Sequence, residues 1–142
     1  MNQKKLTVYI VVADYYKDIT NSLTNAAVKF LKKNNFSYEI IKVPGVYEIP
    51  QFINWKINSK KTNLFIALGC VIKGDTYHFE VISDAVGQSL LDISLSNPKT
   101  IITNGIINAY TGAQAKKRSR ADSKNKGFEA ASAMVRMIEC LT

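Results

Sequence analysis

The sequence predicts an α/β protein: a three-layer α/β/α sandwich with a four-stranded parallel sheet in its middle layer. Four short apolar segments alternate with segments whose apolar residues recur at helical spacing, which is the pattern of βαβ units. The 142-residue length fits one domain at about 150 residues per domain. The 46% hydrophobic and 21% charged content is that of a globular protein and excludes bulk disorder. We therefore expect a single domain over residues 1–142.

The four apolar segments are predicted to be strands because they are β-branched, aromatic and too short for typical helices. They are Leu6–Ala13, Ser37–Val43, Leu64–Cys70 and Thr100–Ile107. The chain before the first strand is polar and basic, and no small-residue cleavage site follows it, so no signal peptide is predicted.

The first two predicted helices are bounded by recognisable end signals. Thr20 is predicted as the N-cap of the first. That helix ends at Lys32–Asn35, where two cations precede a residue type that tolerates the left-handed conformation. The second helix is predicted to begin near Pro50, because proline is favoured in a first turn.

Three further helices are predicted in the second half of the chain. A long one ends at Asn97–Pro98, a short one covers about Gly112–Lys117, and a final one runs from about Asn125 to Leu141. The residues predicted to face inward are Val81, Ile82, Ala85, Val86, Leu90 and Ile93 in the long helix and Phe128, Ala131, Val135 and Ile138 in the final one.

Composition excludes several classes of protein. No apolar run approaches the ~18 residues of a membrane span. Cys70, Cys140 and one histidine cannot complete a four-ligand zinc site, and two cysteines do not make a disulfide scaffold, so we predict no metal and a reducing cytoplasm. The net charge of +8 permits an anionic partner such as nucleic acid, a membrane surface or a phosphorylated metabolite, although a solvated basic surface is the simpler explanation.

The candidate site follows from the topology, because ligands of open α/β sheets bind outside the carboxyl ends of the strands. The segments that follow the predicted strands are Asp14–Tyr16, Val43–Glu48, Lys73–His78 and Asn108–Thr111, the last leading into the basic residues 116–126. We therefore expect aromatic rings, a carboxylate, the only histidine and a helix N-terminus to meet at one edge.

Two nucleotide-binding classes are disfavoured. Gly69–Thr76 nearly matches a P-loop, but Asp75 replaces its lysine and reverses the charge where phosphates would bind. No G-x-G-x-x-G follows the first strand, which disfavours a dinucleotide fold. Thr76 could cap the helix that follows, whose free N–H groups can hold a phosphate or carboxylate; an ordinary capped helix is the alternative.

Individual side chains suggest roles in this site. The His78 imidazole can accept a proton near pH 7 and return it. Glu48 could accept hydrogen bonds from substrate hydroxyls, Tyr15 and Tyr16 could stack on a planar ring, and an arginine of the basic segment could hold a phosphate in bidentate fashion. Each of these residues also has a purely structural alternative. His78 could cap or pack locally, and Glu48 could be a solvated first-turn acid. The two tyrosines could pack at the rim, and the basic segment could be a solvated loop.

Three colinear blocks resemble the 6,7-dimethyl-8-ribityllumazine synthase family. Val43–Pro50 (VPGVYEIP) resembles its V-P-G-A-F-E-I-P signature, and Ala67–Glu80 (ALGCVIKGDTYHFE) resembles A-L-G-x-V-I-R-G-x-T-x-H-[FY]-[DE]. Gln114–Arg118 and Asn125–Ala131 resemble E-Q-A-x-x-R and N-K-G-x-[ED]-A-A. The resemblance covers nearly the whole chain and implies a flavodoxin-like fold.

The resemblance implies the penultimate step of riboflavin synthesis. In that step 5-amino-6-(D-ribitylamino)uracil condenses with 3,4-dihydroxy-2-butanone 4-phosphate, through imine formation, phosphate loss and ring closure, without a metal or organic cofactor. By this resemblance His78 transfers protons, Tyr15 stacks on the pyrimidine, Glu48 binds the ribityl hydroxyls, and Thr76 with Arg118 holds the phosphate. The full set of substrate-binding residues predicted from the resemblance is Tyr15, Val46, Tyr47, Glu48, Val71, Ile72, Lys73, Asp75, Thr76, Asn104, Arg118, Lys126 and Glu129.

The resemblance also implies a homopentamer with sites between neighbouring subunits, the His78 loop coming from one chain and Asn104 with Arg118–Glu129 from the next. Asn104 stands where many members have phenylalanine, Tyr16 replaces the usual asparagine, and Asn108-Ala109 replaces a common Thr-Thr pair. Residues 119–124 lack the glycine-rich linker typical of sixty-subunit capsids, so we expect a free pentamer.

Two other functions compete with this interpretation. A non-catalytic flavin- or lumazine-binding pentamer would share the fold, because fold alone does not fix function. A basic nucleic-acid-binding module is disfavoured, because no recognition-helix or RNA-binding aromatic signature is present. We expect the two small-molecule substrates, other copies of the chain and a functional link to riboflavin synthase as partners, with no nucleic acid and no membrane.

Overall fold

The computed structural model describes residues 6–58 and 62–141. Along the chain the elements are β1 (Thr7–Ala13), α1 (Lys17–Lys33), β2 (Ser37–Val43), α2 (Glu48–Lys56), β3 (Asn63–Ile72), α3 (His78–Ser96), β4 (Thr100–Ala109), α4 (Gly112–Lys117) and α5 (Lys126–Leu141). The prediction that there is no signal peptide depends on the polar start of the chain. Residues 1–5 of that segment lie outside the described residues.

The four strands form one parallel sheet in the order β2-β1-β3-β4. Val8 pairs with Tyr38 of β2 on one side and with Leu64 of β3 on the other. This confirms the predicted four-stranded parallel sheet, and the order is that of the first four strands of a flavodoxin-like fold.

Helices cover both faces of the sheet. On one face α1, α4 and α5 pack over alternate residues of β1, β3 and β4, and on the other face α2 and α3 cover the remaining residues. The largest fully buried side chains come from both layers and include Phe65, Ile10, Leu23, Leu31, Ile49, Ile53 and Met134. Burying each such side chain contributes roughly 1.5–3 kcal/mol, so the predicted three-layer sandwich is held mainly by its two apolar interfaces.

Helices α1 and α5 cross so closely that their backbones are in contact. A Cβ atom on Gly127 of α5 would overlap the carbonyl oxygen of Leu23 in α1. The strand below is tied to α5 as well, because the Thr103 hydroxyl donates a 2.9 Å hydrogen bond to the Ala130 carbonyl. Only glycine fits at position 127 of this crossing.

The predicted end of the first helix is confirmed. Asn35 adopts the left-handed conformation with φ of 63°. The backbone N–H groups of Asn35 and Phe36 donate to the carbonyls of Lys32 and Leu31, at 3.1 and 3.0 Å. This is a Schellman motif with asparagine in the position where glycine is usual, and it directs the chain into β2.

The predicted start of the first helix was wrong, whereas the second begins near Pro50 as predicted. Thr20 is not the N-cap of α1: Tyr16 is, and the Thr20 hydroxyl lies inside the first turn, donating to the Tyr16 carbonyl at 3.2 Å. Helix α2 begins at Glu48, just before Pro50, because the turn over Gly45–Glu48 leads directly into it. Pro50 still lies in the first turn, where its missing N–H has no intrahelical partner to lose.

In the second half of the chain, two strands are longer than predicted and the buried face of α3 is narrower than predicted. Strands β3 and β4 continue two residues further, to Ile72 and Ala109. Val81 and Ala85 of α3 are exposed rather than inward, because the helix buries the narrower stripe of Phe79, Ile82, Val86 and Leu90. Within residues 6–58 and 62–141, none of the helices combines the length and apolar character that crossing a membrane requires.

The helix crossing gives a test of the fold. Gly127→Ala forces α1 and α5 apart, so we expect it to lower the free energy of unfolding by about 1–3 kcal/mol. Gly112→Ala is the matched control: no atom lies within 4 Å of a Cβ there, and stability should stay within about 0.5 kcal/mol. Urea unfolding followed by far-UV circular dichroism measures both, and equal stability of the two variants would contradict the packing described.

Candidate functional site

A cavity of about 420 Å³ lies at the carboxyl ends of β1, β2 and β3. Its wall consists of residues from the loops after β1 and β2, from the end of β3 and from the first turns of α2 and α3. They are Tyr15, Tyr16, Gly45, Val46, Tyr47, Glu48, Cys70, Val71, Ile72, His78 and Ile82. Of the four predicted segments, those after β1 and β2 therefore line the cavity, together with His78 of the third, whereas residues 73–77 and 108–111 do not.

The loop after β1 brings two aromatic rings to the cavity. The Asp14 N–H donates to the Val43 carbonyl at 2.9 Å, which holds the end of β1 against the end of β2. The rings of Tyr15 and Tyr16 then meet at right angles, with centroids 4.9 Å apart and an interplanar angle of 89°. Tyr15 is two-thirds exposed, so its ring is available to a planar ligand.

The loop after β2 places the carboxylate. Val46 is buried against β3, where a Cβ on Gly69 would come within 2.7 Å of its Cγ2 atom. This close approach seats the loop on the sheet, and the half-buried Glu48 follows as the first residue of α2. A carboxylate there can accept hydrogen bonds from hydroxyl groups in the cavity.

The end of β3 supplies the floor of the cavity, and α3 supplies the imidazole. His78 is the exposed first residue of α3, and its N–H donates a long 3.4 Å hydrogen bond to the Thr76 hydroxyl. Thr76 therefore satisfies a donor of the first turn, although Tyr77 occupies the N-cap position. The buried Cys70 lies beneath, and burial raises the pKa of its thiol to about 11.

The predicted residues Lys73, Asp75 and Thr76 do not line this cavity. The Lys73 ammonium lies 3.6 Å from Glu80 Oε1 and 5.7 Å from the centroid of the Tyr110 ring. Asp75 and Thr76 lie in the exposed turn between β3 and α3. The Lys73–Glu80 ion pair thus joins the two ends of the turn that leads to His78.

A second group of predicted residues lies around the loop between α4 and α5. Arg118 is exposed at the end of α4, and its carbonyl accepts the Lys126 N–H at 2.8 Å. The side chains of Lys126 and Glu129 form an ion pair at 3.6 Å. None of these three is among the described residues that line the cavity.

The buried Asn125 holds this loop in place. Its Nδ2 donates to the carbonyls of Ser119 and Arg120 at 3.0 and 2.9 Å, and its Oδ1 accepts the N–H groups of Gly127 and Phe128 at 2.8 and 3.1 Å. One amide side chain therefore caps α5 and fixes the loop that carries Arg118. The motif around Lys126 contains Asn125, but its structural role was not predicted.

Asn104 is exposed on the edge strand β4, away from the cavity wall. Its Oδ1 accepts the Ile106 N–H at 2.9 Å, so the side chain satisfies a backbone donor of its own strand. In one chain the predicted site residues therefore fall into two groups, with Tyr15, Val46, Tyr47, Glu48, Val71, Ile72 and His78 in the cavity and the remainder outside it.

Four residues of the cavity wall were absent from the predicted binding set: Tyr16, Gly45, Cys70 and Ile82. Helical spacing contained a signal for one of them, because Ile82 lies four residues after His78 and shares its face. Cys70 precedes Val71 in a strand whose end faces the cavity, but its apolar setting favoured packing as its role.

Residues 5–142 match the family described as 6,7-dimethyl-8-ribityllumazine synthase. The chain is similar to a 6,7-dimethyl-8-ribityllumazine synthase of Bartonella tribocorum, with 40% identity over 96% of this chain and 90% of the relative. A synthase of the same name from Bartonella henselae is 40% identical over 95% and 88% of the two chains. One from Afipia carboxidovorans is 41% identical over 92% and 83%.

The two cysteines give a test of the cavity floor. Because Cys70 is buried and Cys140 is exposed, a chromogenic disulfide reagent should label Cys140 quickly and leave Cys70 unlabelled in the folded protein at pH 7. Cys70 labelling should rise only as the pH approaches its pKa of about 11, since only the thiolate reacts. Denatured protein, in which both thiols react, is the control. Equal labelling of both thiols in the native state would contradict a closed floor.

Proposed function

The chain belongs to the 6,7-dimethyl-8-ribityllumazine synthase family, and we propose that the cavity at the carboxyl edge of its sheet binds the pyrimidine substrate. The enzyme condenses 5-amino-6-(D-ribitylamino)uracil with 3,4-dihydroxy-2-butanone 4-phosphate to give 6,7-dimethyl-8-ribityllumazine, phosphate and water. This is the penultimate step of riboflavin synthesis. Holding both substrates together makes the condensation effectively intramolecular.

The cavity wall offers a separate contact for each part of the pyrimidine substrate. The exposed ring of Tyr15 stacks on the planar heterocycle, and the Glu48 carboxylate accepts hydrogen bonds from the ribityl hydroxyls. Backbone groups around Val46, Val71 and Ile72 contact the edge of the pyrimidine. This division is supported by the placement of the rings and the carboxylate on different loops of one cavity.

His78 is assigned the proton transfers of imine formation and ring closure. It lies in the cavity wall and is the only histidine of the sequence. An imidazole can accept and return a proton near neutral pH, and both directions are needed when an amine adds to a carbonyl and water is lost. The reaction needs no metal or organic cofactor.

The phosphate site is completed by a second subunit, and one observation carries this part of the proposal. The substrate is phosphorylated, yet no lysine or arginine occurs among the described residues that line the cavity. Arg118 and Lys126 are exposed or half-buried around another loop, where Asn125 fixes the backbone. An adjoining chain can bring these cations to the part of the cavity that contains His78. Thr76 is a further phosphate ligand, and the ion pair with Glu129 orients Lys126.

We propose a homopentamer for this assembly, with Asn104 at the contact between subunits. Exposed apolar residues on α3 support an interface there, since Val81, Leu91 and Leu95 are each about half or more exposed. The loop over residues 119–124 contains no glycine, which favours a free pentamer over a capsid. Tyr47, Lys73 and Asp75 remain predicted substrate contacts at the rim of the site.

The cellular setting follows from the chemistry. Two free cysteines fit a reducing compartment, so we place the enzyme in the cytoplasm. Its lumazine product is consumed by riboflavin synthase, which we propose as a functional partner. A non-catalytic flavin-binding role is not favoured, because the family is that of an enzyme. Formation of lumazine absorbance on mixing the two substrates is the direct assay.

Removal of the imidazole should slow the reaction. We expect His78→Ala to lower kcat by about 10²-fold or more, because no other imidazole can transfer the protons. His78→Gln retains hydrogen bonding without a titratable group and should be equally slow. Steady-state lumazine formation measures both, and turnover like that of the unmodified enzyme in either variant would remove His78 from the mechanism.

Loss of the guanidinium should affect one substrate. We expect Arg118→Ala to raise the KM for the phosphorylated ketone about 10- to 100-fold, the range for losing charge-assisted hydrogen bonds, with little change for the ribitylaminouracil. Arg120→Ala, two residues further along the same exposed loop, is the matched control and should leave both constants unchanged. Equal weakening of both substrates would contradict the phosphate role.

The same two variants test whether the site is shared. In a refolded 1:1 mixture of His78→Ala and Arg118→Ala chains, about a quarter of the sites between subunits pair an intact His78 with an intact Arg118. Assayed at a ketone concentration near the KM of the unmodified enzyme, where Arg118→Ala turns over slowly, activity should therefore recover to about that fraction, whereas neither variant recovers when refolded alone. No recovery in mixed assemblies of confirmed pentameric mass would place both residues in one chain's site.

A further inference from the structure

The backbone of Tyr16 is anchored at the start of α1. Its carbonyl accepts three hydrogen bonds, from the Ile19 N–H at 3.1 Å, the Thr20 N–H at 2.9 Å and the Thr20 hydroxyl at 3.2 Å. Tyr16 is thus the N-cap of the 17-residue helix α1, and its side chain takes no part in the capping bonds. The start of a long helix therefore fixes the backbone of Tyr16, and its ring lies in the cavity wall.

The ring of Tyr16 is the less exposed of the two and lies near both Tyr15 and Cys70. It is 37% exposed, against 67% for Tyr15, and both rings belong to the cavity wall. Burial, with the nearby Tyr15 and Cys70, raises the pKa of the Tyr16 phenol, so this ring is neutral at physiological pH. It is an uncharged, partly buried neighbour for the more exposed ring of Tyr15.

The perpendicular contact with the Tyr16 ring opposes rotation of the Tyr15 ring. A right-angled pair of aromatic rings is attractive beyond its buried area, because the positive edge of one meets the negative face of the other. With centroids at 4.9 Å and 89° between the planes, rotation of the exposed Tyr15 ring would break this contact. A restrained ring loses less conformational freedom when a planar ligand stacks on it.

We propose that Tyr16 is a positioning residue for the pyrimidine, which acts by restraining the ring of Tyr15 rather than by touching the substrate. The inference rests on the proposed function, in which Tyr15 is the stacking platform. It assigns a role to a position where the resembling family's pattern has asparagine, a side chain that cannot form the perpendicular ring contact.

Substitutions at Tyr16 separate the ring from the hydroxyl. We expect Tyr16→Leu to raise the KM for the ribitylaminouracil about 2- to 10-fold, the equivalent of one aromatic pair, with kcat and the KM for the phosphorylated ketone unchanged. Tyr16→Phe keeps the ring and should behave like the unmodified enzyme. Tyr38→Leu, on β2 outside the cavity wall, is the control for losing a tyrosine ring.

A double-mutant cycle tests whether Tyr16 acts through Tyr15. In a Tyr15→Leu background there is no ring to restrain, so adding Tyr16→Leu should raise the KM no further. The equilibrium Kd of 6,7-dimethyl-8-ribityllumazine, followed by its fluorescence, should show the same pattern without turnover. Tyr16→Asn is a second ring-free variant, and circular dichroism checks that each variant is folded.

Distinct results would overturn the proposal. Additive effects of the two leucine substitutions would mean that Tyr16 contacts the ligand directly, and a Tyr16→Phe defect as large as that of Tyr16→Leu would assign the effect to the hydroxyl. An unchanged KM in both ring-free variants would show that Tyr15 needs no support. If Tyr15→Leu alone leaves KM and Kd unchanged, the stacking platform of the proposed function fails as well.

Discussion

Parallel pairing of β1 with β3 brings together loops that are distant in the sequence. The chain passes from β1 to β2 on one side and then crosses back to β3 on the other, so α1 and α2 leave the sheet on opposite faces. Between them the carboxyl ends of the strands remain uncovered, as at the switch point of other doubly wound sheets. Tyr15, Glu48 and His78 each follow a different strand of the sheet and share one cavity for this reason.

The charges of the chain are arranged differently from its aromatic and acid–base groups. The cavity wall contains a carboxylate and an imidazole but none of the lysines or arginines among the described residues, although the sequence carries a net charge of +8. The cations at the α4–α5 loop are attached to a backbone that the buried Asn125 holds rigid. This arrangement supports the proposal that an adjoining chain completes the phosphate site.

Much of the fold could be predicted from local signals, because strands and helices differ in the period of their apolar residues. Continuous apolar runs identified the strands, and the Asn34-Asn35 pair identified a left-handed helix end. Helix starts were less accurate: Thr20 has the chemistry of a cap, but its hydroxyl bonds back to the Tyr16 carbonyl inside the first turn. Val81 and Ala85 are apolar without being buried, because the apolar face of α3 is wider than its contact with the sheet.

The positions of site residues could be predicted where they follow directly from the ends of the strands. They could not be predicted where they depend on which side chains and backbone groups pair in the folded chain. Glu48 and His78 follow strand ends and lie where the topology requires. Lys73 instead pairs with Glu80 across a turn, and Asn104 bonds to its own strand, contacts for which sequence spacing gives no rule. The perpendicular pair of Tyr15 and Tyr16 likewise depends on how Tyr16 ends α1, which only the structure reveals.

The contact between Gly127 and Leu23 has a consequence for biosynthesis. During translation β1 and α1 leave the ribosome long before α5, so the part of α1 that packs against α5, at Leu23, stays open to water until the last described helix emerges. Over that interval the nascent chain exposes part of an incomplete apolar layer, the kind of surface that aggregates or binds chaperones. The close seating of glycine against the Leu23 carbonyl makes docking of α5 the step that closes this layer.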